Sequence, residues 1–200
     1  LARAGEHLPR VEVDSREAWR GWLEANHGRT ESVWVVTWKK ADPERHVPYG
    51  ALVEEALAFG WIDSLPRKLD EARSMLLMSP RKAGSAWSAA NKARVERLTT
   101  EGRMAPAGLA AVDRAKADGS WSKLDAVEAL EIPDDLARAF GAHPGSRETF
   151  EAFPRSVRRG VLEWIEQAKR PETRARRVEE TARLAAENRR AAGFDRTRQI

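Results

Sequence analysis

The chain has 200 residues, of which 42% are apolar and 33% charged; this composition supports a sizeable core and excludes a disordered chain. It contains no cysteine, which excludes a disulfide scaffold, a thiolate nucleophile, a zinc ribbon and an iron–sulfur site. The net charge of +4 is uneven, with 13 basic and 7 acidic side chains in residues 155–200 against 22 and 24 in residues 1–154. A basic end of this kind suits nucleic acid, acidic partners or anionic headgroups and selects none of them.

The longest apolar runs, residues 33–36 and 75–78, fall far short of the ~18 residues that a membrane helix needs. The start, LARAGEHLPRVEV, carries no apolar leader. The expectation is a cytoplasmic protein without membrane insertion.

In chain order, Asp14 with Glu17 three residues later predicts a helix start, with Trp19, Trp22 and Leu23 on one face and a stop at Asn26 to Gly28. The segment SVWVVTWKK, residues 32–40, alternates Trp34, Val36 and Trp38 against Val33, Val35 and Thr37. Both sides are apolar, so it reads as a covered central strand. Pro48 opens a second helix with Tyr49, Leu52, Val53, Ala56 and Leu57 inward, and Gly60 closes it. Residues 61–64 and 74–79 read as two further strands, with the charged stretch 67–73 as the hairpin end. The predicted fold class is α+β, a small three-stranded antiparallel sheet with packed helices, followed by a helical C-terminal module.

From Ser85, a candidate N-cap, the pattern is helical: Trp87, Asn91, Val95 and Leu98 recur at helical spacing. Pro106 starts another helix and Gly119 ends it. Beyond Pro133 come three short helices punctuated by Pro144, Pro154 and Pro171, with a stripe of Val157, Val161, Trp164, Ile165 and Ala168. The expected organisation is an α+β domain over 1–131, a helical module over 132–190 and a frayed tail at 191–200.

Catalytic signatures are missing. The chain has no phosphate loop, no GxGxxG, no nucleophile elbow and no HExxH. His7, His27, His46 and His143 lack metal-ligand spacing, so no metal and no cofactor are expected. The S-x-x-K match at Ser120 to Lys123 lacks its partner motifs and receives no role.

A polar-aromatic set spread over three segments is more informative. It comprises Trp38 and Lys40 at a strand end, Trp61 and Asp63 on a short strand, and Arg81, Ser85, Trp87 and Asn91 at a helix entry. If these converge, they build a cleft of positive charge, one carboxylate and flat aromatic walls, suited to a polar or anionic ligand. Each also has a structural explanation. Burying one Trp removes ~150–250 Å² from water, worth roughly 4–6 kcal/mol; Ser85 and Asn91 can cap, and Asp63 can pair with Lys40, Arg67 or Lys68. Toward the C-terminus, Arg170, Arg174 and Arg177 form a basic stripe that offers a nucleic-acid surface. Its neighbours Glu172 with Arg176, Arg176 with Glu180 and Glu179 with Arg183 have i,i+4 spacing, the mark of a solvated face.

The strings WVVTWKK, YGALVEEALAFGWIDS and SPRKAGSAWSAANKARVERL, continued by EGRMAPAGLAAVDRAKADGSW, resemble the YdeI/OmpD-associated, or bacteriocin-protection, family. IPDDLARAF and AKRPETRARRVEETARLAAE resemble that family's C-terminal OmpD-associated module, and the likeness spans residues 15–190. The chain departs from the pattern at Ser79 for a usual Thr, at Ala58 for a common Cys, and at Ser64-Leu65-Pro66, where a Gly often follows the Asp. The resemblance implies a stress or envelope-defence role against bacteriocins or antimicrobial peptides, and it supplies no catalytic residue. The leading expectation is therefore a non-enzymatic protein that binds a small polar or anionic ligand, or a protein partner, through the eight-residue cleft. A small enzyme using Asp63 as acid/base and a nucleic-acid binder using the C-terminal arginines are the alternatives.

Overall fold

Six residues, VWVVTW, are enough to fix the centre of the sheet. In the computed structural model, which describes residues 7–194, they form β2 (Val33–Trp38), buried along both faces except at Trp38. β2 lies between β1 (Arg10–Glu12) and β4 (Arg73–Pro80), and β3 (Trp61–Lys68) completes the order β1-β2-β4-β3. β1 runs parallel to β2, and the other two pairings are antiparallel.

This corrects the expected three-stranded antiparallel sheet to a four-stranded mixed one. The missed strand, RVE, has three residues and a single apolar side chain, too short to show a period of two. Its parallel pairing needs a crossover, and α1 (Arg16–Asn26) supplies it. The β3–β4 hairpin is also longer than expected. Arg67 and Lys68 pair with Met75 and Ser74 inside the ladder, and the register shifts between Asp63 and Pro66.

The chain divides into two compact units, Leu1–Lys123 and Leu124–Ile200. In the first, Val33, Val35, Leu76 and Met78 face Trp19 and Leu23 of α1, Leu52 and Ala56 of α2 (Tyr49–Ala58), and Trp61. Trp34, Val36 and Met75 form the opposite face, with Leu8, Leu69 and Leu77 against them and the Arg67 guanidinium 4.8 Å from the Trp34 ring. Gly60 closes α2 at φ +78°, which L side chains avoid.

α3 (Ala89–Thr100) starts later than the sequence suggested. Its N-cap is Ser88, whose hydroxyl accepts from the Asn91 amide, so Ser85 and Trp87 precede the helix. α4 (Pro106–Ala117) follows; a Cβ on its Gly108 would lie 2.1 Å from the Ala58 carbonyl oxygen. That close approach accounts for the glycine at 108.

A polar knot ties the helices of this unit together. Glu55 of α2 is 1% exposed and accepts from Arg16 Nε at 2.5 Å, from Arg20 Nη1 at 2.8 Å and from Arg103. Its neighbour Glu54 accepts from Arg16 Nη2 at 2.8 Å and from Arg97. Burial pushes the Glu54 carboxyl up, but Arg97 and Arg16 outweigh it and hold the group below the usual carboxylate range.

The second unit contains α5 (Asp125–Glu128), α6 (Asp134–Ala142), α7 (Ser146–Ala152), α8 (Arg155–Glu166) and α9 (Pro171–Ala186). Beyond Pro133 there are thus four helices where three were expected, because each of the three prolines, Pro144, Pro154 and Pro171, falls at a break. α9 packs against α6, α7 and α8. Val157, Val161 and Ile165 are buried, Trp164 lies half-buried under Arg177, and Ala168 falls beyond the end of α8. Of the expected frayed tail, Ala191 to Phe194 form turns, and residues 195–200 lie outside the described residues.

Candidate functional site

The predicted site residues fall into separate places. Arg81, Ser85 and Trp87 line one small cavity of about 10 Å³, together with Lys82, Gly84, Arg114, Asp118 and Ser120; that is room for about one water. The Arg81 guanidinium lies 3.6 Å from the Trp87 ring centroid, with Trp87 only 1% exposed. It donates to the Ala86 carbonyl, while its Nε and Nη1 are shut from solvent without a hydrogen-bond partner. Burial therefore lowers its pKa to about 10, and the Asp63 carboxylate pulls it back toward the charged form.

Trp38, Lys40, Trp61, Asp63 and Asn91 lie outside that cavity. The Trp38 ring stacks under Arg45, 4.5 Å from its guanidinium carbon. Lys40 is exposed in the turn after β2. Trp61 belongs to the core: it is 1% exposed, its indole N–H donates to the His27 carbonyl at 3.0 Å, and it meets Trp22 edge-on. Asp63 accepts from the Tyr49 hydroxyl at 2.8 Å. Asn91 lies in the first turn of α3, its Oδ1 accepting from the Arg94 side chain at 3.1 Å.

Arg174 bonds Asp135 at 2.7 Å and Glu166 at 3.1 Å, and Arg177 donates to the Trp164 carbonyl while lying over its ring. Arg170, at the N-cap of α9, is exposed. Glu179 meets His143 at 2.8 Å and Arg183 meets Glu187 at 3.0 Å.

A larger opening escaped the sequence reading. A groove of about 480 Å³ lies on the helix-side face of the sheet, floored by Thr37, Ser74, Leu76 and Pro66 and walled by Val47, Tyr49 and Leu52. Of the charged residues in its lining, Lys39 and Lys68 lie on this face while the Arg67 guanidinium lies over Trp34 on the other; His46 also lines the groove, and no carboxylate does. The Val47 amide donates to Thr37 Oγ1 at 3.1 Å, which fixes the segment entering α2 over the sheet. His46 shares a hydrogen bond of 2.7 Å with the Trp38 carbonyl. The hidden signal was strand length: once β3 runs to Lys68, its period of two brings Pro66 and Lys68 to the face of Ser74 and Leu76.

Among the described residues no group of three or more His, Asp or Glu side chains could hold a metal ion, and no helix is long and apolar enough to cross a membrane.

A family model described as a domain of unknown function, DUF8412, matches residues 11–111, just over half of the chain. The chain belongs to that family. The DUF8412 region contains β2 to β4, all of β1 but Arg10, and the groove. A second family model, described as Bacteriocin-protection, YdeI or OmpD-Associated, matches residues 129–188, the stretch whose motifs resemble that family. WVVTWKK and YGALVEEALAFGWIDS fall in the DUF8412 match instead. No curated protein and no solved structure matches the chain.

Proposed function

We propose that this DUF8412 protein is a non-enzymatic defence protein whose N-terminal unit captures a polar or anionic ligand in the groove between β4, β3 and the start of α2. One observation carries the reading: a groove of small-molecule size, about 480 Å³, in which every charged side chain is a cation. Such a lining favours an anion before any contact is specified, because it contains no carboxylate and the one carboxylate paired with Lys68, that of Glu71, is solvent-exposed. The Arg81 cavity, by contrast, has room for about one water and serves the packing of Trp87. Asp63 has the Tyr49 hydroxyl as its hydrogen-bond partner, and a single half-buried carboxylate of this kind is not the pair of groups that acid/base catalysis needs. Two of the three arginines of the nucleic-acid alternative are committed to Asp135, Glu166 and Trp164, which leaves little of the stripe for phosphates. Location in the cytoplasm is part of the same proposal, and fractionation of host cells checks it.

Native mass spectrometry of the full chain purified from its host tests the reading. The expected result is a retained anionic ligand that is lost when exposed Lys68 is changed to Glu. A chain that retains nothing, and whose melting temperature responds to no anion, overturns it.

A further inference from the structure

This inference rests on the ligand-binding reading and names the class of ligand. The strand register sorts the groove into two ends. Thr37, Ser74 and Lys68 stand side by side across β2, β4 and β3. The next row on the same face is Val35, Leu76 and Pro66. Two residues of strand separate the rows, about 7 Å. The polar row continues past the end of β2 to Lys39, whose ammonium donates to the Asp70 and Glu71 carbonyls at 2.9 Å each, leaving one of its three N–H groups. Lys68 pairs with Glu71, whose side chain is 93% exposed; an ion pair that wet contributes little and is easily exchanged for another anion.

The apolar row ends against Val47 and Leu52, each 2% exposed, and against the ring of Tyr49, which is 55% exposed. A fully polar ligand would leave Leu76, Pro66 and the Tyr49 ring unused. A fully apolar one would cover ammonium groups without giving them a partner. We infer that the groove binds a small amphipathic anion, its single oxyanion head between Lys39 and Lys68 and its apolar body over Leu76 and Pro66 against Tyr49.

Isothermal titration calorimetry on the full chain, with decanoate as the anion and acetate and decanol as its two halves, tests this. Decanoate should bind at least tenfold more tightly than either half. Lys68→Glu should weaken it about tenfold, by loss of one attraction and gain of one repulsion near the surface, and Tyr49→Ser should weaken it severalfold. Both side chains are exposed, and circular dichroism verifies that the variants fold. Acetate binding as tightly as decanoate overturns the amphipathic class and leaves the anion reading standing. Decanol binding as tightly as decanoate, unaffected by Lys68→Glu, overturns both. If decanoate does not bind, the class is wrong; the retained ligand and its loss in Lys68→Glu, read by mass spectrometry, then decide the broader reading independently.

Discussion

Two cation-rich regions of the N-terminal unit are nearly opposite in character. In the knot around Glu54 and Glu55, the guanidinium groups of Arg16, Arg20, Arg97 and Arg103 are consumed by two carboxylates, one of them 1% exposed. In the groove, Lys39 is anchored by backbone carbonyls and Lys68 by one fully wet glutamate. The same residue types thus hold helices together in one place and face an open cavity in the other. Counting charges along the chain cannot separate the two cases; the partner of each cation and its burial do.

The knot should therefore respond to substitution far more than the groove. Glu55→Ala leaves three guanidinium groups around an empty, buried position, the situation in which breaking a buried ion pair costs about 3 kcal/mol or more. For a chain of this length that lowers the melting temperature by about 10 °C. Lys68→Glu should stay within about 0.5 kcal/mol of wild type, as surface changes do. Equal losses for the two variants in urea denaturation would erase the distinction.

The C-terminal unit sharpens the comparison by pH. Burial pushes the Asp135 carboxyl up, yet the hydrogen bonds and charge of Arg174 outweigh it and hold the group below its ordinary value. A depressed carboxylate contributes stability above its unfolded pKa, and that contribution disappears as pH falls through the folded value. Both side chains are about a third exposed, so water screens the pair and the contribution is about 1 kcal/mol at most. Asp135→Asn should cost this amount at pH 7 and progressively less as the pH falls below the ordinary carboxylate range. A cost independent of pH would show that packing, not the ion pair, is what the substitution removes.

Arg81 stands between the two kinds of cation. It is buried like the knot but lacks a carboxylate within bonding distance, and its Nε and Nη1 go unpaired. Replacing such a group by an apolar one of similar length removes a desolvation cost together with a stacking contact. Arg81→Met is expected to leave stability within about 1 kcal/mol of wild type, with the gain side favoured. A loss of several kcal/mol would mean that the guanidinium has a partner in solution, and would restore the small cavity as a ligand site.

What was legible in the sequence follows the strength of local signals. The central strand announced itself because Val33 to Trp38 are apolar on both faces, and Pro48 and Gly60 bracketed α2 by backbone chemistry alone. β1 was invisible because its pairing depends on β2 and not on its own three residues. Trp61 and Trp87 looked like site residues because aromatic rings beside polar groups serve cores and clefts alike; burial assigns both to packing. The groove was hidden because Lys39, Lys68 and Tyr49 are far apart along the chain, and only the β3–β4 register and the Thr37 anchor of Val47 bring them to one face.

The smallest expected effect examines the groove wall itself. Tyr49 is the sole tyrosine of the chain, so the ultraviolet absorbance of tyrosinate reports on this side chain alone. Burial raises its pKa, and the Asp63 carboxylate, which accepts its proton at 2.8 Å, raises it further by disfavouring a second negative charge. The titration midpoint should lie above that of a free phenol. In Asp63→Asn it should move part of the way back, because the burial contribution, the largest single cause, remains. The same substitution should cost no more than about 0.5 kcal/mol, since Tyr49 is 55% exposed and water replaces the lost bond. An unchanged midpoint would detach Tyr49 from Asp63, leave the aromatic wall free to swing, and remove the side that the apolar body of a ligand needs. A midpoint that drops while decanoate affinity holds would show that the ring, and not its hydroxyl, forms the wall.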